Sequence, residues 1–430
     1  MSAAGQLASS STASLASASG KWWILSGLWF LYASFGLVVT SIAPLVIPIE
    51  TSLSFSHAAM GSIMGAWQLV YIGAAIPCGV LLDRLGGRWA LLIGVGVITL
   101  SALGRAYAVD YWTFLLAVML FGVGGPIISS GAPKVVASLF EGKQRGLAMG
   151  IYMTGPAIGG VCTLTLTHAW LMPVFDNNWT QVMLLWTAVC VLAGVYWIAV
   201  TWLTGFSDRP DSAQKVGMSQ TAVMHELLMQ RAVRVVLVMS VGVFLFNHGL
   251  NNWLPELLKG HGMTAIEAGY WAALPTVVGV IGSLLIPRLA TPERRFAILA
   301  ALCGAALVAS LLLQAHGEFS LTTGLILQGI ARSSMMTVLI LTLVELPGIG
   351  EQRAGVASGM FFSAAEIGGV LGPLGLGVAY ELSGGFSSGL LALSVVAGGL
   401  VLASVYPGAR GGPGKRWPTT PTPKIRRKTR

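Results

Sequence analysis

Long apolar stretches alternate with short polar ones along almost the whole chain. The pattern predicts helices at about 22–48, 58–82, 88–108, 111–138, 144–172 and 180–205, then 233–257, 264–290, 295–314, 319–345, 352–380 and 385–406. Each run is long enough to cross about 30 Å of hydrocarbon at a rise of about 1.5 Å per residue. One longer polar connection, 206–232, divides them into two sets of six, and its Met218–Met229 part predicts a short surface helix. The expected fold is therefore an all-α membrane protein with twelve transmembrane helices. Its expected parts are a disordered N-terminal arm (1–21), a six-helix bundle (22–205), a linker (206–232), a second six-helix bundle (233–408) and a basic tail (409–430). The arm is rich in Ser and Ala and has no long apolar block, unlike a secretory signal peptide.

Composition supports the same class. Only 10% of residues are charged and 55% are hydrophobic, against about 25% charged in soluble proteins. Soluble enzymes, disordered chains and disulfide-rich scaffolds fit poorly. The net charge of +9 does not point to nucleic acid, because the basic residues sit between apolar runs and eight of the 25 fall in 410–430. With both termini on one side, 21 of the 25 Lys and Arg fall on that side. Lys259 alone is clearly opposite, and Arg105, Lys134 and Arg332 fall within helices. The positive-inside rule then expects both termini in the cytoplasm, and a bacterial inner membrane is the expected location. The tail is expected to be drawn to anionic headgroups.

Cys78, Cys162, Cys190 and Cys303 lie singly in apolar runs, without CxxC or metal-ligand spacing, and read as free thiols. No GxxxxGK[ST], HExxH or GxSxG pattern occurs. ATP-driven transport and catalysis are not expected, nor is a metal or cofactor. Asn178-Trp179-Thr180 is a glycosylation sequon in a predicted outer loop, relevant only in a eukaryotic secretory pathway.

The two halves repeat. Gly146, Ala148, Gly150, Ile158, Gly159 and Gly160 recur as Gly355, Ala357, Gly359, Ile367, Gly368 and Gly369 at a constant offset of 209 residues. Both copies follow a basic residue, Arg145 or Arg353, and open the fifth helix of their half. Parallel repeats of this kind belong to transporters that hold substrate near the midplane between the halves.

The segment between the second and third helices reads Gly79-Val80-Leu81-Leu82-Asp83-Arg84-Leu85-Gly86-Gly87-Arg88. It resembles the G-x-L-x-D-R-x-G-x-R signature of the major facilitator superfamily. The resemblance implies that fold, with alternating access. Gly79 and Gly86 would let turn and helices approach, and Asp83, Arg84 and Arg88 would form a gate. Asp83 would latch one state by pairing with arginines or with the N-terminal end of a neighbouring helix. Gly155-Pro156-Ala157-Ile158-Gly159-Gly160 is similar to the core of an antiporter motif, although Ile151 stands where that motif has glycine; a small-residue helix contact explains it at least as well. Three further stretches resemble the cyanate/nitroimidazole permease branch. These are Ala102-Leu103-Gly104-Arg105, Phe121 to Pro126 with Ala132-Pro133, and Asn252-Trp253-Leu254-Pro255. That branch implies small, often anionic or heteroaromatic solutes.

Ionisable side chains at the midplane cost at least about 2.5–3.5 kcal/mol each, so they are candidates for function. Arg332 lies 13 residues from either predicted end of its helix, about 20 Å from both surfaces. A guanidinium there suits a carboxylate-like anion. Glu366 is a candidate proton site, with His248 as the rival. An Arg332–Glu366 ion pair would instead merely keep two buried charges tolerable. His248 and Asn252 share one face, as do Asn247 and Asn251. Tyr32, Trp67, Gln68, Tyr71, Ser129, Ser130, Thr154 and Phe361 are at comparable depth and could line the site, or could simply pack. Arg105 and Lys134, nearer the helix ends, either snorkel or supply gate charges.

These readings converge on a secondary transporter, expected to be a functional monomer, that imports a small organic anion with protons. A proton-coupled drug exporter is the alternative within the same architecture. A sensor or receptor on the same fold, which binds ligand without flux, is the alternative outside it.

Overall fold

The structure is a computed structural model describing residues 20–206, 220–291, 293–315, 317–346 and 349–405. Most of the N-terminal arm, linker residues 207–219 and the tail from 406 onward lie outside the described residues. Among the described residues there are twelve segments long and apolar enough to span a bilayer, and no strand. Helices satisfy all their backbone groups internally, which is what hydrocarbon demands of a spanning segment.

The first half comprises α1 (Gly20–Thr40), α2 (Val46–Leu53), α3 (His57–Ala106), α4 (Tyr111–Leu139), α5 (Gly142–Leu166), α6 (Met172–Val174) and α7 (Trp179–Leu203). A linker helix, α8 (Gln220–Met229), precedes the second half. That half comprises α9 (Arg231–Gly260), α10 (Ala265–Leu289), α11 (Arg295–Leu312), α12 (Glu318–Val344), α13 (Gly350–Ser383) and α14 (Ser387–Val405).

Three elements depart from the sequence pattern. The first predicted helix breaks after Thr40, because Pro44 has no N–H to continue the ladder. Arg105 caps the break: its Nη1 donates to the Val38 carbonyl at 2.7 Å, and its guanidinium lies over the Phe121 ring. Arg105 is therefore buried within the first half and neither snorkels nor gates. The second and third predicted helices form the two arms of α3, which fold back at Gly86, where φ is 75°. Only glycine adopts that angle without strain. After α5 the helix widens into a π turn, Thr167–Leu171, before α6. The linker helix lies at the surface, mostly exposed, and is docked by one edge. Val223 and Leu227 are buried, and Glu226 accepts from Arg353 at 2.8 Å.

The repeat in the sequence is a repeat in packing. A Cβ on Gly159 would overlap the Ala33 carbonyl oxygen of α1 and crowd the Leu37 nitrogen. A Cβ on Gly368 would overlap the Val241 carbonyl of α9 and crowd the Leu245 nitrogen. The glycines are related by 209 residues and their partners by 208. The Gly-Pro run of α5 thus serves as a close helix contact. Gly368→Val is expected to destabilise by at least about 3 kcal/mol, the top of the usual overpacking range. Gly304→Ala, where nothing lies within 4 Å, should be neutral or stabilising. Melting curves in detergent would check both.

The halves meet unevenly along the membrane normal. Near the face opposite the chain ends, hereafter the far face, they are pressed together. Cβ atoms at Gly61, Gly65, Gly269 and Gly377 would strike the backbone of Pro373, Val370, Leu164 and His57 respectively, each in the other half. Five helical turns away, at a spacing of 18 residues, the same faces carry Gly79, Gly355, Gly146 and Gly359. Nothing lies within 4 Å of a Cβ at any of these four. The cross-half faces of α3, α5 and α13 are therefore packed at the far face and open about 27 Å away, toward the termini face. A cleft between the halves opens on the side of the chain ends.

Candidate functional site

Where the packed region gives way to the cleft, polar side chains from both halves meet. Gln68, on the first arm of α3, is fully buried, and its Nε2 lies 3.2 Å from His248 Nδ1 on α9. This hydrogen bond crosses from one half to the other. Trp67 and Phe244 pack against the same imidazole at ring separations of 6.0 and 5.3 Å.

Arg332 on α12 lies within electrostatic reach of His248. Its Nη1 donates to Thr276 Oγ1 of α10 at 3.1 Å, and its backbone carbonyl accepts from Asn247 Nδ2 at 3.2 Å. No ion pair joins it to Glu366, so the purely structural pairing considered above does not form. Thr276 is the side chain that orients the guanidinium. A threonine within an apolar run carries no mark of that role in sequence.

Glu366 on α13 is 5% exposed, and its Oε2 has no hydrogen-bond partner. A Cβ on Gly369 would sit 2.7 Å from that oxygen and 2.9 Å from Gln68 Cγ. The carboxyl and Gln68 thus share the space that the missing side chain leaves. Gly369 is one of the repeat glycines, so a packing position of the repeat doubles here as room for a polar group.

The first half contributes an aromatic wall. Tyr32 packs on Tyr152 and Phe35, Phe35 on Phe121, and Phe121 on Trp67, with centroid distances of 5.1–5.6 Å. Tyr71 continues the wall, 6.0 Å from Trp67, and its hydroxyl lies 3.0 Å from Ser129 Oγ. Tyr152 and Phe35 were not among the candidates, and aromatic type and helical spacing gave no reason to prefer them. Gln328 was missed as well. It is fully buried on α12, one turn before Arg332, and neither its amide nitrogen nor its oxygen has a partner. Its i, i+4 relation to Arg332 was the available signal.

Other candidates fall elsewhere. Phe361 is wholly buried, packed edge-on against Phe362 as core. Thr154 accepts from Trp29 Nε1 at 3.0 Å and serves the α1–α5 contact. Asn252 donates to the His248 carbonyl at 2.8 Å within its own helix. Asn251 is half-buried and Ser130 exposed, and neither joins the network around His248. The latch expected of Asp83 is made neither with arginine nor with a helix end. Asp83 instead pairs with Lys134 Nζ of α4 at 2.8 Å, inside one half. This also places Lys134 at the hinge and not on an access route. Arg84 is exposed, and Arg88 lies over the Trp89 ring.

A charged, hydrogen-bonded layer between two pseudo-repeated six-helix halves, beneath a one-sided cleft, suits the binding and passage of a small solute. Comparison with known proteins agrees with that geometry. The chain is 25% identical to transporter YycB of Bacillus subtilis over 84% of its length and 87% of the relative's. It is 25% identical to a quinolone resistance transporter of Acinetobacter baumannii, covering 81% and 87% of the two chains. A transporter of Agrobacterium vitis named provisionally for tartrate is 23% identical, with 84% and 83% covered. In fold it is similar to a bacterial homologue of the human lysosomal transporter Spinster, in an inward-facing and unoccupied conformation. That likeness has a TM-score of 0.67 at 20% identity and covers 92% and 93% of the two chains. The family model of the Major Facilitator Superfamily matches residues 28–373, and the chain belongs to that superfamily of membrane transporters, as a secondary transporter and not an enzyme.

Proposed function

We propose that this transporter moves a small organic anion together with protons, by rocking its two halves about the layer of Gln68, His248, Arg332 and Glu366. The observation that carries the reading is Arg332, a guanidinium near the midplane with no carboxylate partner. Arg332 is only partly exposed, and a charge at that depth costs about 2.5–3.5 kcal/mol on insertion scales, which an anionic solute relieves when it binds. Thr276 holds one edge of the guanidinium and leaves the rest of its donors for a planar anion. The aromatic wall from Tyr152 to Tyr71 would exclude water and select for shape. Glu366, with an unsatisfied carboxylate oxygen, would bind the coupled proton, and His248 would relay the charge state of Arg332 across the halves to Gln68. The resemblance to cyanate/nitroimidazole permeases agrees with this solute class.

With both termini in the cytoplasm, the cleft opens inward and this is the inward-facing state. Closure would then bring Gly79, Gly146, Gly355 and Gly359 against the opposite half, as Gly61, Gly65, Gly269 and Gly377 are now. Gly359→Leu should therefore fold normally, because a side chain there meets open space, yet cut transport at least about tenfold by blocking closure. Unchanged transport in that variant, with normal expression and melting, would remove the glycine faces from the cycle. Asp83, Arg84 and Arg88 would bias the gate through the α3 hinge.

A second reading is kept by the relative named for quinolone resistance: proton-driven export of a drug, in which Glu366 would exchange proton for cargo and Arg332 would be structural. Substitutions at Arg332 and Glu366 separate the two.

A further inference from the structure

At the far face, titratable groups of both halves meet in a closed contact that takes no part in the midplane layer. His57, at the first turn of α3, is stacked between Tyr380 and Trp253 of the second half, at 3.9 and 5.3 Å. Two glutamates of the second half sit at helix starts of the first. Glu381 Oε2 accepts the Ala58 N–H of α3 at 3.1 Å, and the Glu256 carboxyl lies against the backbone of Ile47 on α2. Both are anions at helix N-termini, where negative charge is favoured. Lys259 Nζ adds a pair to Glu256 at 2.5 Å.

Glu50 has no such partner. It lies on α2, 8% exposed, with Oε2 3.3 Å from His57 Nδ1 and Oε1 bonded to nothing. Glu256 and Glu381 act on it as like charges and Lys259 as the opposite charge. The remaining titratable groups nearby are held by backbone: His168 on the Pro44 carbonyl at 2.6 Å and His261 on the Leu313 carbonyl at 3.0 Å. The cluster thus holds three carboxylates and one lysine, and one carboxylate oxygen lacks any donor. A cavity of about 550 Å³, lined by His57, Glu256, Lys259, His261, Gln314 and Tyr380, connects it to the far side.

We infer that the Glu50–His57 pair is a second proton-binding site, which takes up one proton from the far side as the far gate closes and returns it there on opening. When the gate is open and hydrated at neutral pH, Glu50 is a carboxylate and His57 a neutral imidazole. Closing buries Glu50 among two other anions and stacks His57 against the second half. One proton, shared by the pair as Glu–COOH beside imidazole or as carboxylate beside imidazolium, removes the excess charge and supplies the missing donor. Acid on the far side therefore favours the closed far gate and the open cleft. By linkage, the closed-to-open ratio rises by up to about tenfold per unit fall in pH. The inference rests on rocking between two states and on neither the cargo nor Arg332.

The test follows the gate without substrate. Spin labels at Val109→Cys and Leu382→Cys, exposed far-face positions on opposite halves, would be introduced with the four native cysteines replaced by alanine. Distance distributions of the full chain in lipid nanodiscs would be recorded from pH 5 to 9. The expected result is a long-distance population that grows with pH in the parent protein. It should be absent or pH-independent in E50Q, whose carboxamide keeps the size but cannot titrate. No cargo is present and the comparison is between the parent and E50Q, so failure of the anion reading would leave this result standing. A parent population that does not change with pH, or an E50Q response equal to the parent's, would overturn the inference. If E50Q does not fold, E50L removes the titrating carboxyl with an apolar side chain of similar size and is read by the same criterion.

Discussion

Arg332→Lys should lower the apparent affinity for an anionic cargo by about 10- to 150-fold, the equivalent of one to two charge-assisted hydrogen bonds. Lysine keeps the charge but loses the planar fork, and its ammonium cannot donate to Thr276 Oγ1 and to both oxygens of a carboxylate in fixed geometry. Arg332→Ala should go further and abolish saturable uptake. Uptake into proteoliposomes and ligand-induced melting shifts would measure both, with a library of small carboxylates and cationic drugs as probes. A carboxylate whose stabilisation of the parent protein disappears in Arg332→Ala would identify the cargo class. Saturating ligand at 100 times its dissociation constant is worth about 2.7 kcal/mol, which is a readable shift. Undiminished anion transport by Arg332→Lys, or shifts confined to lipophilic cations, would reject the anion reading in favour of the exporter.

Glu366→Gln should uncouple the cycle. The amide fills the same space beside Gln68 and Gly369, so binding and rocking should survive while the exchangeable proton is lost. A pH gradient imposed across proteoliposomes should then no longer drive accumulation, although exchange of labelled for unlabelled cargo continues. The pH profile of transport should lose the part due to the coupled proton at the same time and keep the part due to the far gate. Accumulation in Glu366→Gln with the parent's pH dependence would exclude Glu366 as the coupling site and leave His248 as the candidate. His248→Gln is the matching variant, since it can still bond to Gln68. The two outcomes differ because Glu366 has an unsatisfied oxygen, whereas the ring nitrogen of His248 that faces Gln68 is already bonded.

The closed far gate explains why both experiments need control of conformation. A ligand shifts the balance of two states only by its differential affinity for them. If Glu50 and His57 set that balance through the pH of the far side, a change in transport with pH contains a gate contribution and a cargo contribution. Comparing Glu366→Gln with Glu50→Gln resolves the two, because the residues lie on opposite halves and at different depths.

Much of this molecule is legible along the chain. Twelve apolar runs of spanning length appear as helical spans, the first broken after Thr40, because in hydrocarbon a run of that kind has no alternative that satisfies its backbone. The 209-residue repeat is visible because close helix contacts tolerate only glycine, as Gly159 and Gly368 demonstrate. Arg332, Glu366, His248 and Gln68 stand out because charge and amide groups are costly at that depth. The pairing of these side chains does not stand out. Arg332 could equally have faced Glu366; that it meets Thr276 instead depends on how α12 is rotated against α10. Phe361 could line the site or simply pack on its sequence, because depth is readable and direction is not; the packed helices place it in the core.

The conformational state and the far gate belong wholly to tertiary structure. Gly61 and Gly79 lie on the same face of one helical arm, and nothing local makes one packed and the other open. Glu50, His57, Glu256 and Glu381 are spread over more than 300 residues and look like ordinary helix ends in sequence. Their charges interact only because two rigid halves bring those ends together. Helix, span and repeat are decided by each residue's own exchange between water and lipid. Which buried groups share a proton, an anion or a gate is decided by distance, and only the packed halves set that.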